Sequence, residues 1–452
     1  MRSRFAGSMG IAVVAWAALA GGAARAQGEA AAPPVVRITL SEAIARARSA
    51  SARLGALASL HTAAEENLAA ARANHWPIVD VSAGYQRLSS VPELTVAFPG
   101  QAPTTIFPNI QDNVHARAGV SLPLYTGGRL TAVEAAAEGE SAAAAADVRA
   151  GAQDLALETT ASFWSLLTAR ESTRVFDDAV RAFERHLADA QAGLEVGTAA
   201  RSDVLAVEVE RDRAILNRLE AQNRADVTNA DLVRLVGAPA GTILEPVPPA
   251  ALPAPARDGL DPLIASALAS RPEHRALVER VAAAEERVSA EKAGYYPRAA
   301  LAGGFDEARP NRRILPVQDE WDSSWDVGVN VSLDVFDFGR TRAAVSRARA
   351  QADATARQLA DLEARIRQEV TARAFELATA LSAVPVSDRA LASATESQRV
   401  SADRFREGVA PSSELLDAEV ALQRAALDRT RAVAQAHLSR ASLDRAVGAV
   451  AP

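Results

Sequence analysis

Two periods of apolar residues take turns along this chain. From Ile78 to Gln86, Val79, Val81, Ala83 and Tyr85 fall on one side and Asp80, Ser82, Gly84 and Gln86 on the other. That two-residue period predicts a β-strand with one apolar face. Asn113 to Leu124 alternates again, with Val114, Ala116, Ala118, Val120, Leu122 and Leu124 set against Asn113, His115, Arg117 and Ser121. Residues 91–108 between them carry too many prolines for helix. Much later, Trp325, Val327, Val329, Val331, Leu333 and Val335 alternate with Asp326, Gly328, Asn330, Ser332 and Asp334, after a shorter partner at Arg298–Phe305. The predicted strands are about 78–87, 113–124, 298–306 and 323–336.

Everything else follows the helical period. A first helix starts at Leu40 with Ser41 as N-cap, breaks near Ser51 and stops before Pro77. Arg129 to Glu195 has almost no breakers, and its 67 residues would span roughly 100 Å as one helix. Phe176, Val180, Phe183, Leu187, Ala190 and Leu194 step by four and three, a coiled-coil seam. A return helix, capped by Ser202 or Asp203, runs to about Val236. A second long helix begins after Gly339 with a kink or break expected at Pro385, and a last one opens at Pro411 and ends near Val447.

The pattern occurs twice. Leu122–Arg129 (LPLYTGGR) returns as Leu333–Arg340 (LDVFDFGR), Val196-Gly197-Thr198-Ala199 as Glu407-Gly408-Val409-Ala410, and Leu235-Val236-Gly237-Ala238 as Ala446-Val447-Gly448-Ala449. The offset is 211 at each, since 333 − 122, 408 − 197 and 447 − 236 all give it. A period this long is a duplicated architecture, not a solenoid. The chain divides into a signal peptide (1–26), a flexible lead (27–39), a first repeat (40–237), a linker (238–259) and a second repeat (260–449).

The signal peptide rests on Arg2 and Arg4, an apolar run from Ile11 to Ala20, and Ala24-Arg25-Ala26 at the cleavage positions. The sequence has no cysteine, so disulfides, thiolate catalysis and a lipidated N-terminal cysteine are excluded. Its formal charge is −7; losing Arg2, Arg4 and Arg25 gives −7 − 3 = −10, a poor match to nucleic acid. The six histidines are scattered without H-E-x-x-H spacing, His186 sits in a long helix as a surface or seam residue, and no nucleophile elbow, P-loop or G-x-G-x-x-G occurs. Neither an enzyme nor a cofactor is expected.

The chain is therefore mainly α with a small β part, each half reading helix–strand–strand–helix–turn–helix. Four alternating strands could be a half-buried sheet in a soluble domain. Set beside an export signal and helices too long for a sandwich, they read instead as part of a membrane barrel. Four strands cannot close a pore, and open edges are not tolerated in lipid. Three copies would supply twelve strands, with the helices continuing below as a coiled-coil tube. The lipid-facing set would include Val114, Val120, Leu122, Val327, Val329 and Val331.

With its paired Leu122–Arg129 and Leu333–Arg340 junctions, its two glycine tips and its twofold layout over about residues 38–449, the chain resembles the TolC-type outer-membrane efflux protein family. The resemblance implies a homotrimer with a 12-stranded barrel in the outer membrane and a helical tunnel through the periplasm, serving as the exit duct of a tripartite efflux or type I secretion system. It implies as partners a periplasmic adaptor, docking at the tips Val196, Gly197, Thr198, Glu407, Gly408 and Val409, and an inner-membrane pump. Aligned on Gly408, the acids of the family's periplasmic gate fall on Glu414 and Asp417; the same residues could be ordinary helix-start acids. The family's gate latch falls on Asp203, but its tyrosine and arginine are replaced here by Phe405 and Ala410, and Arg201 is a candidate substitute. The rival class is a periplasmic coiled-coil adaptor, which should have one hairpin, a β domain between its arms and no lipid-facing strands.

Overall fold

A computed structural model describes residues 34–449 except 98, 101, 250, 257 and 258. The signal peptide and residues 27–33 of the lead lie outside them. The elements in order are β1 (Val35–Thr39), α1 (Leu40–Ala50), α2 (Ala52–Ala73), β2 (Ile78–Arg87), β3 (Leu94–Val96), β4 (Thr104–Phe107), β5 (Asp112–Tyr125), α3 (Arg129–Glu195) and α4 (Arg201–Leu235). They continue with β6 (Ile243–Val247), α5 (Leu260–Ser270), α6 (Pro272–Lys292), β7 (Arg298–Arg309), β8 (Asp322–Ser332), α7 (Arg340–Arg406) and α8 (Ser412–Val447).

The duplication is reproduced to the residue. α3 and α7 are both 67 residues long, and 340 − 129 and 406 − 195 both give 211. Each starts from a left-handed glycine, Gly128 at φ 84° and Gly339 at φ 85°, a conformation that turns strand into helix and suits a residue without Cβ. In the second repeat the Asp337 carboxylate closes this turn, accepting from the Thr341 backbone N–H at 2.8 Å and its hydroxyl at 2.6 Å. These bonds hold the Asp337 carboxyl below its usual range. In the first repeat Thr126 caps Leu130 from the equivalent position, at 3.4 Å.

α3 packs along α4, and α7 along α8, making two long hairpins. The seam is buried at Val180, Phe183, Leu187 and Ala190 and opens at Leu194, where the hairpin ends. The four larger strands form one antiparallel sheet in the order β2-β5-β7-β8, so the two repeats meet where β5 pairs with β7. β2 and β8 are its edges.

The structure departs from the sequence pattern at several points. The lead and linker are not structureless: Val35–Thr39 and Ile243–Val247 pair as parallel strands, and Ile38 and Leu244 enter a core with Phe163, Trp164, Leu166 and Leu232 halfway along α3. Isolated short strands flanked by prolines gave no periodic signal; burial of Ile38 and Leu244 fixes them. Thr39, not Ser41, caps α1, through a reciprocal pair in which Thr39 N–H donates to Glu42 at 3.0 Å. Ser51 does mark the break, accepting from Leu54 N–H at 3.2 Å. Ala200 stands at the N-cap of α4, with Asp203 reaching back to its N–H at 3.2 Å. α7 runs unbroken through Pro385, whose ring is exposed while Val384 is buried, and the Ser387 hydroxyl bonds the Val384 carbonyl at 2.8 Å. β8 stops at Ser332 rather than near residue 336. A bulge at Leu124 sets Tyr125, not Leu124, opposite Ala299, because Pro123 cannot donate to the ladder.

Candidate functional site

Two regions carry the residues singled out by sequence: the hairpin tips and the four-stranded sheet.

At the tips the chain reverses twice in the same way. Val196 N–H bonds Ala192 O, and Glu407 N–H bonds Asp403 O. Thr198 N–H bonds Gly193 O at 2.8 Å, and Val409 N–H bonds Arg404 O at 2.9 Å. Gly197 at φ 79° and Gly408 at φ 73° make the left-handed turn each closure needs, and a Cβ on either would meet nothing within 4 Å. Val196 and Val409 stand exposed beside them. The six tip residues thus form two equivalent projecting turns with open approach.

Asp203 and Glu414 are repeat equivalents, since 414 − 203 is 211, both three residues after an N-cap. Asp203 bonds the Ala200 N–H. Glu414 cannot do the same, because Pro411 has no N–H. It pairs instead with Arg404 at the end of α7. Asp417, one turn on, is exposed and makes no ion pair among the described residues. Arg201 is likewise exposed, and neither it nor Asp203 pairs with the second hairpin among the described residues. Among the described residues of a single chain, Asp203 and Arg201 therefore make no latch to the second hairpin, and Glu414 and Asp417 stand apart from them.

A polar link between the hairpins lies close by. His186 of α3 is buried at 2% exposure, with Nδ1 3.2 Å from Glu419 Oε2 and Nε2 2.9 Å from Ser412 Oγ, both on α8. The Phe405 ring lies edge-on to the imidazole, centroids 5.1 Å apart. Ala410 is buried nearby in the same turn. His186 is thus a seam residue, bridging two hairpins that are far apart in sequence. The legible signal was its place in the 183–187–190 stripe together with the seven-residue spacing of Ser412 and Glu419, which sets both on one face of α8.

In the sheet the register sorts the side chains into rows. One face carries Val81–Ala118–Phe305–Trp325, then Val79–Val120–Gly303–Val327, then Leu122–Leu301–Val329, then Ala299–Val331. Val120, Val327, Val329 and Val331 are exposed there, with nothing among the described residues covering them. Val114 lies two rows outward of Trp325, between Tyr85 and Arg309. The opposite face is charged: the Arg117 guanidinium crosses Gly304 to reach Asp326 at 3.0 and 3.2 Å and also pairs with Asp306. His115 lies over Gly84, and Asp80 over Gly119. Glycine at these points lets the long polar side chains lie flat on the sheet.

No helix among the described residues is long and apolar enough to cross a membrane. Nor do the described residues contain a group of three or more side chains suited to hold a metal.

A family model described as outer membrane efflux protein matches residues 43–238 and 263–449. Three solved structures resemble the fold. The outer membrane protein VceC of Vibrio cholerae is 18% identical, with 91% of this chain and 96% of that chain covered at a TM-score of 0.77. A membrane protein from Pseudomonas aeruginosa is 19% identical, with coverages of 90% and 93% and a TM-score of 0.77. The open-state MtrE outer membrane channel of Neisseria gonorrhoeae is 17% identical, with coverages of 91% and 89% and a TM-score of 0.73. Among curated proteins none matches this sequence.

Proposed function

The chain belongs to the outer membrane efflux protein family and is an outer-membrane exit duct, and from that premise we propose that three copies close one barrel and one periplasmic tunnel, joined at the hairpin tips to an adaptor and through it to an inner-membrane pump. The observation that carries this is the uncovered sheet. It exposes a continuous apolar face and ends in two open edges, β2 and β8. In lipid each unpaired backbone group costs several kcal/mol. Pairing β8 of one copy with β2 of the next removes every edge at twelve strands.

The lipid-facing reading of Val120, Leu122, Val327, Val329 and Val331 is supported by their shared face. It is also supported by the exposed aromatics at either end: Trp76, Tyr295, Tyr296 and Phe336 at the helix junction, Tyr85 and Trp325 towards the loops. Trp76 to Tyr85 spans about 31 Å along a strand, or about 22–25 Å across a membrane at the usual barrel tilt, which matches the apolar band of such barrels. Val114, in the Arg309 row, belongs to the outer rim of that band.

The tips are assigned to the adaptor because they are the outermost turns of both hairpins and are open to another backbone. Asp417 with Glu414 is assigned to the acidic ring, Glu414 being paired with Arg404 within its own chain. Asp203 and Arg201 are assigned to contacts between copies, since among the described residues neither finds a partner on the other hairpin of its own chain. An adaptor is disfavoured by the second hairpin and by the apolar sheet.

The test is fractionation followed by cross-linking. The protein should sediment with outer membrane and cross-link to three copies, with a cysteine pair placed on β8 and β2 joining neighbours. A soluble periplasmic monomer would sink the reading.

A further inference from the structure

The segment after β7 does not extend away from the sheet. Pro310 and Asn311 are buried, Asn311 at 4% exposure. The Asn311 side-chain amide donates to the Asp322 carbonyl and to Ser324 Oγ, both at 3.0 Å, and its oxygen accepts the Arg313 N–H at 3.0 Å. Ser324 stands opposite Asp306, on the charged face. Arg313 then turns back along that face to Asp326 at 3.2 Å and towards Asp306 at 3.9 Å, so that Asp326 is shared between Arg313 and Arg117. Arg312 reaches across the same face to Asn113 of β5 at 3.1 Å. The return leg is tied at the rim by Arg309 to Asp319 at 3.0 Å, and Val317 N–H meets the Ile106 carbonyl of β4 at 3.4 Å.

We propose that Pro310–Arg313 forms an inward lip at the outer mouth of the duct, and that Arg313, held by Asp326 and Asp306, determines how large a solute passes there. The inference rests on the barrel reading, because it takes the charged face as the lumen. Its reasons are geometric. All three side chains of Asn311, Arg312 and Arg313 bond to the charged face and none to the apolar one, and the ion pairs reach four residues into β8 from its start at Asp322. Three copies would project three such lips towards one axis. A lip fastened by two carboxylates and a buried amide is a fixed constriction that narrows the opening for cargo leaving and for solutes entering.

The chain has no cysteine, so one placed below the lip reports cleanly. Ser332→Cys is suitable, as Ser332 is on the charged face and exposed. Intact cells would be treated from outside with a small charged maleimide and with a maleimide on a bulky polymer. The lip predicts fast labelling by the small reagent and slow labelling by the bulky one, with the bulky rate rising when Arg313→Ala is added. Asp326→Asn, which releases Arg313 with less change in volume, should raise it too, and trimer formation checks that each variant assembles. Equal bulky labelling with and without either change in assembled trimers overturns the lip alone. Failure of the small reagent, with labelling by a lipid-soluble one, places Ser332 outside and overturns the barrel reading together with the lip.

Discussion

His186 and Glu419 face each other at 3.2 Å across the junction of the two hairpins, both almost wholly shielded from water. Removing one partner of such a pair leaves the other buried without a hydrogen bond. His186→Leu should therefore loosen the start of α8 by roughly 1–3 kcal/mol, about five- to 140-fold in local exchange rate. Glu419→Gln keeps a hydrogen-bonding side chain and should cost less. Hydrogen exchange over Ser412–Val420 is the measurement, and equal effects of the two changes would count against the pair.

Depth in the membrane separates Val329 from Val114. Val329 lies in the middle rows of the apolar face and Val114 in the row of Arg309. Val329→Arg should destabilise the assembled barrel by roughly 2–4 kcal/mol, and Val114→Arg by about 0–1. Unfolding of the trimer in lipid, compared for the two variants, decides it; similar costs would mean the face is not graded by depth.

Glu414→Gln combined with Asp417→Asn should reduce cation selectivity in a planar bilayer and weaken block by multivalent cations added on the periplasmic side. Arg404→Ala, which frees the Glu414 carboxylate from its partner, should strengthen both. If neither variant moves selectivity, the two acids are helix-start residues and no more.

Gly408 combines a positive φ with empty space around its missing Cβ. Asn, which tolerates that conformation, should be accepted there. Gly408→Trp should abolish export while the trimer still assembles, because the bulk would meet the proposed adaptor rather than the chain itself. Normal export by the tryptophan variant would be falsifying for adaptor contact at this tip.

A cluster halfway along the tunnel links α3, α6, α7 and α8. Arg271 pairs with Glu273 at 2.6 Å and with Glu369 at 2.7 Å, and Arg445 pairs with Glu273 at 3.0 Å and with Asp154 at 2.7 Å. Burial pushes the Glu273 carboxyl up, but its own backbone N–H and the guanidiniums of Arg445 and Arg271 outweigh that and hold it below its ordinary value of 4.5. A carboxyl lowered on folding stabilises fully above that ordinary value, and its contribution is lost as pH falls through the folded one. Acid should therefore weaken the native protein more than a Glu273→Gln variant. The difference between their unfolding midpoints should shrink as pH drops below about 4; a constant difference would contradict the assignment.

The sequence was most informative where a period was long. α3 and α7, the four strands of the sheet and both glycine tips follow from runs of alternating or heptad-spaced residues. It was least informative where tertiary burial decides the outcome. β1 and β6 are five residues each and gain their order from Ile38 and Leu244 in a shared core. Continuity of α7 through Pro385 depends on which side of the helix the ring faces. The His186 bridge required knowing that α3 and α8 touch, which no local pattern states. The repeat offset does predict that Glu414 matches Asp203, but not that Pro411 denies it the same bond.

α3 and α7 are equal in length, 67 residues each. Because both helices leave the sheet at equivalent glycines and end 67 residues later, both turns of one subunit arrive at the same depth. In the proposed trimer six such turns would make a level rim. Lengthening either helix alone, even by a whole heptad that kept its seam in register, would leave a scalloped edge on which a ring of identical partners could seat only every second contact. Growth or shortening of this duct is thus constrained to occur in both halves of the gene product together, a limit set by the flatness of its foot.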